Sequence, residues 1–172
     1  MSRTVKPTDY WETPDKVFLP LHAEIGFTLD AAATAANAKC SAYYTEQTDG
    51  LALPWSGHVV WCNPPYSKGN LKVWTDKARE EAVNHGVISC LLIPHDTSTK
   101  WWWSGVIGKG NPTDRLPYPN LRGSYAYQES WGIVQVYPIP HRVVFCKGGK
   151  PAKNGPTFPS AAVIYCPFSE TP

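Results

Sequence analysis

The chain has 172 residues, 42% hydrophobic, with five cysteines and a net charge of +2. That length fits one domain, residues 1–172, with its own core, and no apolar run approaches the ~20 residues of a membrane span. Cys40, Cys62, Cys90, Cys146 and Cys166 form no C-x-x-C pair, which argues against a zinc site and a disulfide framework; reduced, buried thiols are expected.

The opening "MSRTVKPTDYWETPDK" lacks the apolar stretch of a signal peptide, so a cytoplasmic protein is expected. Residues 15–26 read as a helix, with Thr13 as its N-cap, Pro14 at its first position and Pro20 as a kink. "FTLDAAA" (27–33) reads as a short strand running into Asp30 and a turn of small residues. "HVVWC" (58–62) is a β-rich run closed by Gly57 and the prolines that follow, hence a buried strand. In "LKVWTDKAREEAVN" (71–84), Leu71, Trp74, Ala78 and Ala82 share one helical face. "VISCLLIP" (87–94) is a second buried strand. Strand, helix, strand in this order predicts a right-handed crossover and a parallel sheet covered by helices. Residues 104–128, rich in Gly, Pro, Asn and Tyr, show no periodicity and read as a long loop or insertion. "HRVVFC" (141–146) and "SAAVIYC" (160–166) read as a closing hairpin-like pair.

The strand at 58–62 stops at Asn63-Pro64-Pro65-Tyr66. In an α/β sheet, ligands bind outside the carboxyl ends of the strands. Two prolines stiffen the backbone and remove two donors, leaving carbonyls to accept. Asn63 adds an amide oxygen, and Tyr66 adds a flat ring. Two acceptors beside an aromatic face suit a planar exocyclic amine. Binding both its hydrogens favours a tetrahedral nitrogen with an available lone pair, and stabilises the positive charge that develops there.

The strand-terminal [DNS]-P-P-[YFW] pattern resembles that of S-adenosylmethionine-dependent amino-methyltransferases. Across "YWETPDKVFLPL", "GFTLDAAATAANAKCSAYYTEQTDGLALPWSG", "VVWCNPPYS", "LLIPHDTSTKWWW" and "RVVFCKGGKPAKNGPTFPSAAVIY" the chain resembles the phage-type DNA adenine N6-methyltransferases, the Dam family. The resemblance implies a compact Rossmann-like α/β fold with a largely parallel sheet and a C-terminal β-hairpin. It implies S-adenosylmethionine as cofactor, double-stranded DNA as substrate, no metal, and a monomer or weak dimer. By the same pattern Asn63, Pro64, Pro65 and Tyr66 form the catalytic loop, and Tyr10, Thr13 and Pro14 lie along the cofactor. Asp30, Ala31 and Ala32, with Asn37, occupy the first cofactor loop, and Asp49, Gly50 and Leu51 the later acidic loop. The first loop departs from the glycine-rich form usual in methyltransferases, since Asp30 is followed by Ala-Ala-Ala-Thr-Ala-Ala-Asn, where positive φ is harder to reach. Asp30 also reads as a helix cap and Asp49 as a turn residue; Trp101 to Trp103 read as core plus one exposed ring.

Charge is uneven along the chain: residues 1–50 carry −3, residues 51–99 balance, and residues 100–153 carry +6. A basic half of this kind fits a polyanion. Lys68, Lys100, Arg115, Arg122, Arg142, Lys147, Lys150 and Lys153 are the candidates for phosphate contact. The segment 104–128, with Arg115, Arg122, Tyr125 and Tyr127, is the expected reader of DNA sequence, with GATC the target that the family name implies. Cytosine N4, RNA and a glutamine amide remain alternative acceptors, and an inactive DNA-binding or anti-restriction module is the non-enzymatic alternative.

Overall fold

A computed structural model describes residues 11–67, 69–153 and 158–168. Helix α1 spans Asp15–Ile25 and ends at Gly26, whose left-handed φ of 78° closes the last turn. Its N-cap is Pro14, in extended geometry, so Thr13 does not cap the helix as its position predicts. Strands β1 (Leu29–Asp30), β2 (Ala42–Tyr43) and β3 (Val60–Cys62) follow, then helix α2 (Asn70–His85) and strand β4 (Ser89–Pro94). The remaining strands are β5 (Asn111–Thr113), β6 (Tyr125–Gln128), β7 (Gly132–Pro138), β8 (Cys146–Lys147), β9 (Lys150–Pro151) and β10 (Ser160–Pro167).

Eight strands form one sheet in the order β2-β1-β3-β4-β10-β7-β6-β5. From β2 to β4 neighbours are parallel, and from β4 outward every pairing is antiparallel. The sheet is therefore mixed, and the expected largely parallel arrangement holds only for its first half. The C-terminal hairpin is also corrected. β10 enters the sheet between β4 and β7, while residues 141–145 form no strand. Ser160 to Tyr165 are all buried, the pattern of a central strand covered on both faces, and β10 pairs with β4 on one edge and β7 on the other. In residues 143–145, by contrast, Val143 and Phe145 are buried while Val144 is exposed.

Alternation along the strands divides the core into two layers. Val60, Cys62, Leu91, Ile93, Val163 and Tyr165 face α2, while Trp61, Cys90, Leu92, Ala162 and Ile164 face α1. The segment predicted as a loop at 104–128 carries much of the antiparallel half. It begins in a π-helical turn, Trp102–Ile107, and includes β5 and β6. Gly105 lets this turn press on α2, since a Cβ there would lie 2.3 Å from Thr75 Oγ1. Arg79 of α2 donates to the carbonyls of Gly105 (3.2 Å) and Val106 (2.9 Å) and pairs with Glu129. The stretch between β5 and β6 is tied down by buried Gln135, which accepts from Tyr118 N–H and donates to Tyr118 C=O, both at 2.9 Å.

Among the described residues no helix is long and apolar enough to cross a membrane, and no three His, Cys, Asp or Glu side chains converge as metal ligands. All five cysteines are free; Cys62 and Cys90 are buried and the other three are half-buried.

Candidate active site

The carboxyl ends of β1 and β3 open into a narrow cleft on the α1 side of the sheet. Asp30 and Ala32 line it from the loop after β1, Trp61 and Asn63 from β3 and its end, and Trp11, Glu12 and Thr13 from the segment before α1. Asn37 and Lys39 complete the wall. The structure thus brings together Thr13, Asp30, Ala32, Asn37 and Asn63 of the sequence-predicted set.

Asn63 is fixed at both ends of its amide. Its Nδ2 donates to Trp11 C=O at 2.7 Å, and its Oδ1 accepts from the Tyr66 hydroxyl at 2.7 Å. The Tyr66 hydroxyl also stands 2.9 Å from Leu92 C=O, so one hydrogen has two acceptors in reach. Burial pushes the Tyr66 phenol well above its ordinary range, so it stays protonated as a donor. Its ring lies edge-on to Trp11, Phe145 and Phe158, with centroids 6.2, 6.0 and 5.7 Å away. Pro64 is buried, and Pro65 is half-buried.

Asp30 is 3% exposed. Its two oxygens accept backbone N–H groups from Ala32 (3.3 Å) and Lys39 (3.0 Å), which folds the alanine-rich loop around the carboxylate. Burial nonetheless raises its pKa to about 6; the two N–H donors and the Lys39 charge oppose the shift without cancelling it. Asn37 Oδ1 accepts from Thr34 N–H at 2.7 Å and closes the turn that follows. The loop needs no glycine because Asx-type side-chain bonds set its turns.

Gly50 is the glycine that this region cannot replace. A Cβ on it would lie 2.1 Å from the Ala31 carbonyl oxygen and 3.3 Å from the Trp74 ring. The Asp49–Leu51 turn is thus pressed against Ala31, behind the first loop. Asp49, exposed and at φ 55°, accepts from Leu51 N–H at 3.1 Å. Pro14 caps α1, and Tyr10 and Lys68 lie outside the described residues.

The basic candidates occupy several elements. Lys147 and Lys150 sit on the β8–β9 hairpin, with Lys153 just beyond it and exposed Arg142 before it. Arg115 and Arg122 belong to the Gln135-anchored stretch, where the Arg115 guanidinium lies 5.4 Å from the Phe168 ring centre. Exposed Lys100 precedes the π-helical turn; within that turn Trp102 is buried and Trp103 is exposed. His95, at the end of β4, pairs its Nε2 with Tyr125 Oη at 2.7 Å and packs on Trp102, and burial lowers its pKa.

Trp11, Glu12, Lys39 and Trp61 were not singled out by sequence. Their roles depend on contacts between distant segments, such as Trp11 with Asn63, for which no local pattern exists.

Residues 1–108 match the family profile described as DNA N-6-adenine-methyltransferase (Dam). The chain belongs to this family. Dam-family relatives include the DNA N-6-adenine-methyltransferase of Escherichia phage T1, 36% identical over 96 residues, which cover 55% of this chain and 39% of the relative. The DNA N-6-adenine-methyltransferase of Haemophilus phage HP1 is 34% identical over 96 residues, covering 55% of this chain and 54% of the relative. The aligned stretches thus span about half or less of the length of these relatives. The Dam match contains the whole cleft, from Trp11 to Asn63, and ends within the π-helical turn's C-terminal cap; β5 to β10 lie beyond it.

Proposed function

We propose that the protein transfers the methyl group of S-adenosylmethionine to N6 of adenine in duplex DNA. The observation that carries this reading is Asn63, at the end of β3, fixed by Trp11 and Tyr66 in the same cleft as buried Asp30. The chemistry of the lining supports a polar cofactor there: Thr13 Oγ1 is buried without a hydrogen-bond partner, and Asp30 carries a desolvated carboxyl. Thr13, Asp30 and Asn37 would hold it, with Gly50 and Leu51 supporting the loop from behind. Bound there, it supplies an electrophilic methyl group.

The chain's own residues then handle the amine. The Asn63–Trp11 bond keeps the amide from rotating, so Oδ1 stays in place as the acceptor. Tyr66 occupies one lone pair of Asn63 Oδ1, and the other would accept from the amine. Backbone carbonyl oxygen from the proline pair supplies the second acceptor, and no proton acceptor of high basicity is needed once the nitrogen is cationic. Alignment of amine and methyl donor contributes through proximity. An amine paired inside a duplex must first leave the stack, so base flipping belongs to this reading. Arg115, Arg122, Lys147 and Lys150 would engage the phosphates, and a GATC target is part of the same proposal.

Transfer of a radiolabelled methyl group to unmethylated duplex, followed by nucleoside analysis, tests it. Label in N6-methyladenine is expected. Label in cytosine redirects the acceptor, and absence of transfer from a protein that binds the cofactor refutes the reading.

A further inference from the structure

Three successive residues, Trp11 to Thr13, touch three different parts of the molecule. Trp11 C=O accepts from Asn63 Nδ2, and Thr13 Oγ1 sits in the cleft. Glu12, between them, is bound to the basic hairpin. Its backbone exchanges two hydrogen bonds with Cys146, both at 2.9 Å, as an isolated antiparallel bridge. Its carboxylate reaches the hairpin tip: Oε1 accepts from Gly148 N–H at 2.8 Å and Oε2 from Gly149 N–H at 3.0 Å.

The tip is built for this grip. Gly148 and Gly149 have φ of 60° and 72°, the paired left-handed geometry of a tight hairpin turn. That geometry points two successive N–H groups the same way, forming a concave donor pair that takes an anion. Lys147 and Lys150 flank the two glycines. A free carboxylate beside two lysines would ordinarily weaken attraction for a polyanion. Here both of its oxygens are committed to backbone donors, so its charge is spent on holding the turn.

We propose that Glu12 is a positioning residue for DNA engagement: its carboxylate clamps the Gly148–Gly149 tip, and so sets where Lys147 and Lys150 meet DNA phosphates beside the cleft. This rests on the reading of the cleft as a DNA methyltransferase site, and it extends that reading to a residue that does not itself touch DNA.

The sign of the effect separates positioning from simple electrostatics. Removing a negative charge from a DNA-facing surface tightens DNA binding if the charge acts alone. Removing a clamp loosens it. Fluorescence anisotropy of a labelled duplex, titrated across a range of salt, reads both. Glu12→Ala is expected to weaken binding on the order of tenfold near physiological salt, and to lower the salt slope by about 1.8, as loss of two phosphate contacts requires. Lys147→Ala with Lys150→Ala should reproduce that slope, and adding Glu12→Ala to this pair should cost nothing further. Glu12→Gln, which keeps one oxygen acceptor, should fall between wild type and Glu12→Ala.

Hydrogen exchange at the Gly148 and Gly149 amides supplies a readout independent of DNA, and both amides should lose protection in Glu12→Ala. Tighter or unchanged DNA binding by Glu12→Ala, unchanged amide protection, or losses that simply add to those of the lysine variants would each overturn the proposal. A wild-type protein that binds duplex without methylating it would defeat the catalytic reading while leaving the clamp measurable.

Discussion

Asp30→Asn is the substitution whose effect is best fixed by the geometry. In the fold this carboxyl titrates at about 6, against 3.8 when unperturbed, because burial penalises its charge more than the N–H groups of Ala32 and Lys39 favour it. A group that binds its proton more tightly folded than unfolded stabilises the fold while protonated. That contribution is complete below about pH 4 and is lost as pH climbs through about 6. The interval is worth about 3 kcal/mol, at 1.36 kcal/mol per pKa unit. Asparagine abolishes the titration. It also sacrifices one of two acceptors, because its NH2 must face one of the two N–H groups, at a cost of ~1–3 kcal/mol that does not vary with pH. The wild-type protein should therefore hold its largest advantage near pH 4. As pH rises to 7.5 the variant should gain on it by about 3 kcal/mol, or roughly 6–12 °C in Tm for a chain of this size. Urea unfolding of both proteins at several pH values gives the difference directly, and titrations shared by the two cancel. A stability difference that stays flat between pH 4 and 7.5 would refute the burial argument for Asp30.

Asn63→Ala should abolish methyl transfer while leaving cofactor affinity within several-fold, measured by equilibrium binding beside single-turnover kinetics; unaltered turnover would remove Asn63 from the reaction. Tyr66→Phe strips a hydroxyl shared by Asn63 Oδ1 and Leu92 C=O, so stability should fall by ~1–3 kcal/mol and turnover should fall with it, since the amide loses one of its anchors. Gly50→Ala places a methyl 2.1 Å from a backbone oxygen that no side-chain motion can relieve; a loss of more than ~3 kcal/mol and failure to bind cofactor are expected, checked by thermal unfolding with and without ligand. Replacing Arg115 and Arg122 together should weaken duplex binding and flatten its salt dependence, and an unaltered slope would discard their assignment to phosphates.

The sequence reading succeeded where local signals and burial agree. β3 and β4 are short apolar runs bounded by glycine or proline, and α2 carries its buried stripe at helical spacing, so each was legible within a residue or two. The polar amide and two prolines that follow β3 were legible as a strand end, and Asn63 does line the cleft there. β7, "GIVQVYP", carries a comparable signal, rich in β-branched residues and running from Gly132 to Pro138. The 104–128 segment was another matter. Its short strands are set by pairing, β6 with β7 and β5 with β6, and its Tyr118 backbone by the buried amide of Gln135, a partner 17 residues on. Hairpin pairing of 141–146 with 160–166 failed because two β-rich runs close in sequence do not reveal that β4 is waiting for one of them. Thr13 reads as a helix cap by residue type, yet Pro14 is the N-cap of α1 and the threonine hydroxyl is left buried without a partner.

The position of β10 bears on the order in which the chain can fold. β4 pairs with β3 and β7 with β6, and the other edge of each is covered only when residues 160–167 slide between them. During synthesis the parallel half, which holds the entire cleft, leaves the ribosome with the buried edge of β4 uncovered, and the antiparallel half emerges behind it with β7 equally bare. Two unpaired apolar edges on one nascent chain are a template for pairing with a neighbouring chain. The final strand thus acts as a keystone, and cells making this protein would be expected to shield it until that strand has emerged.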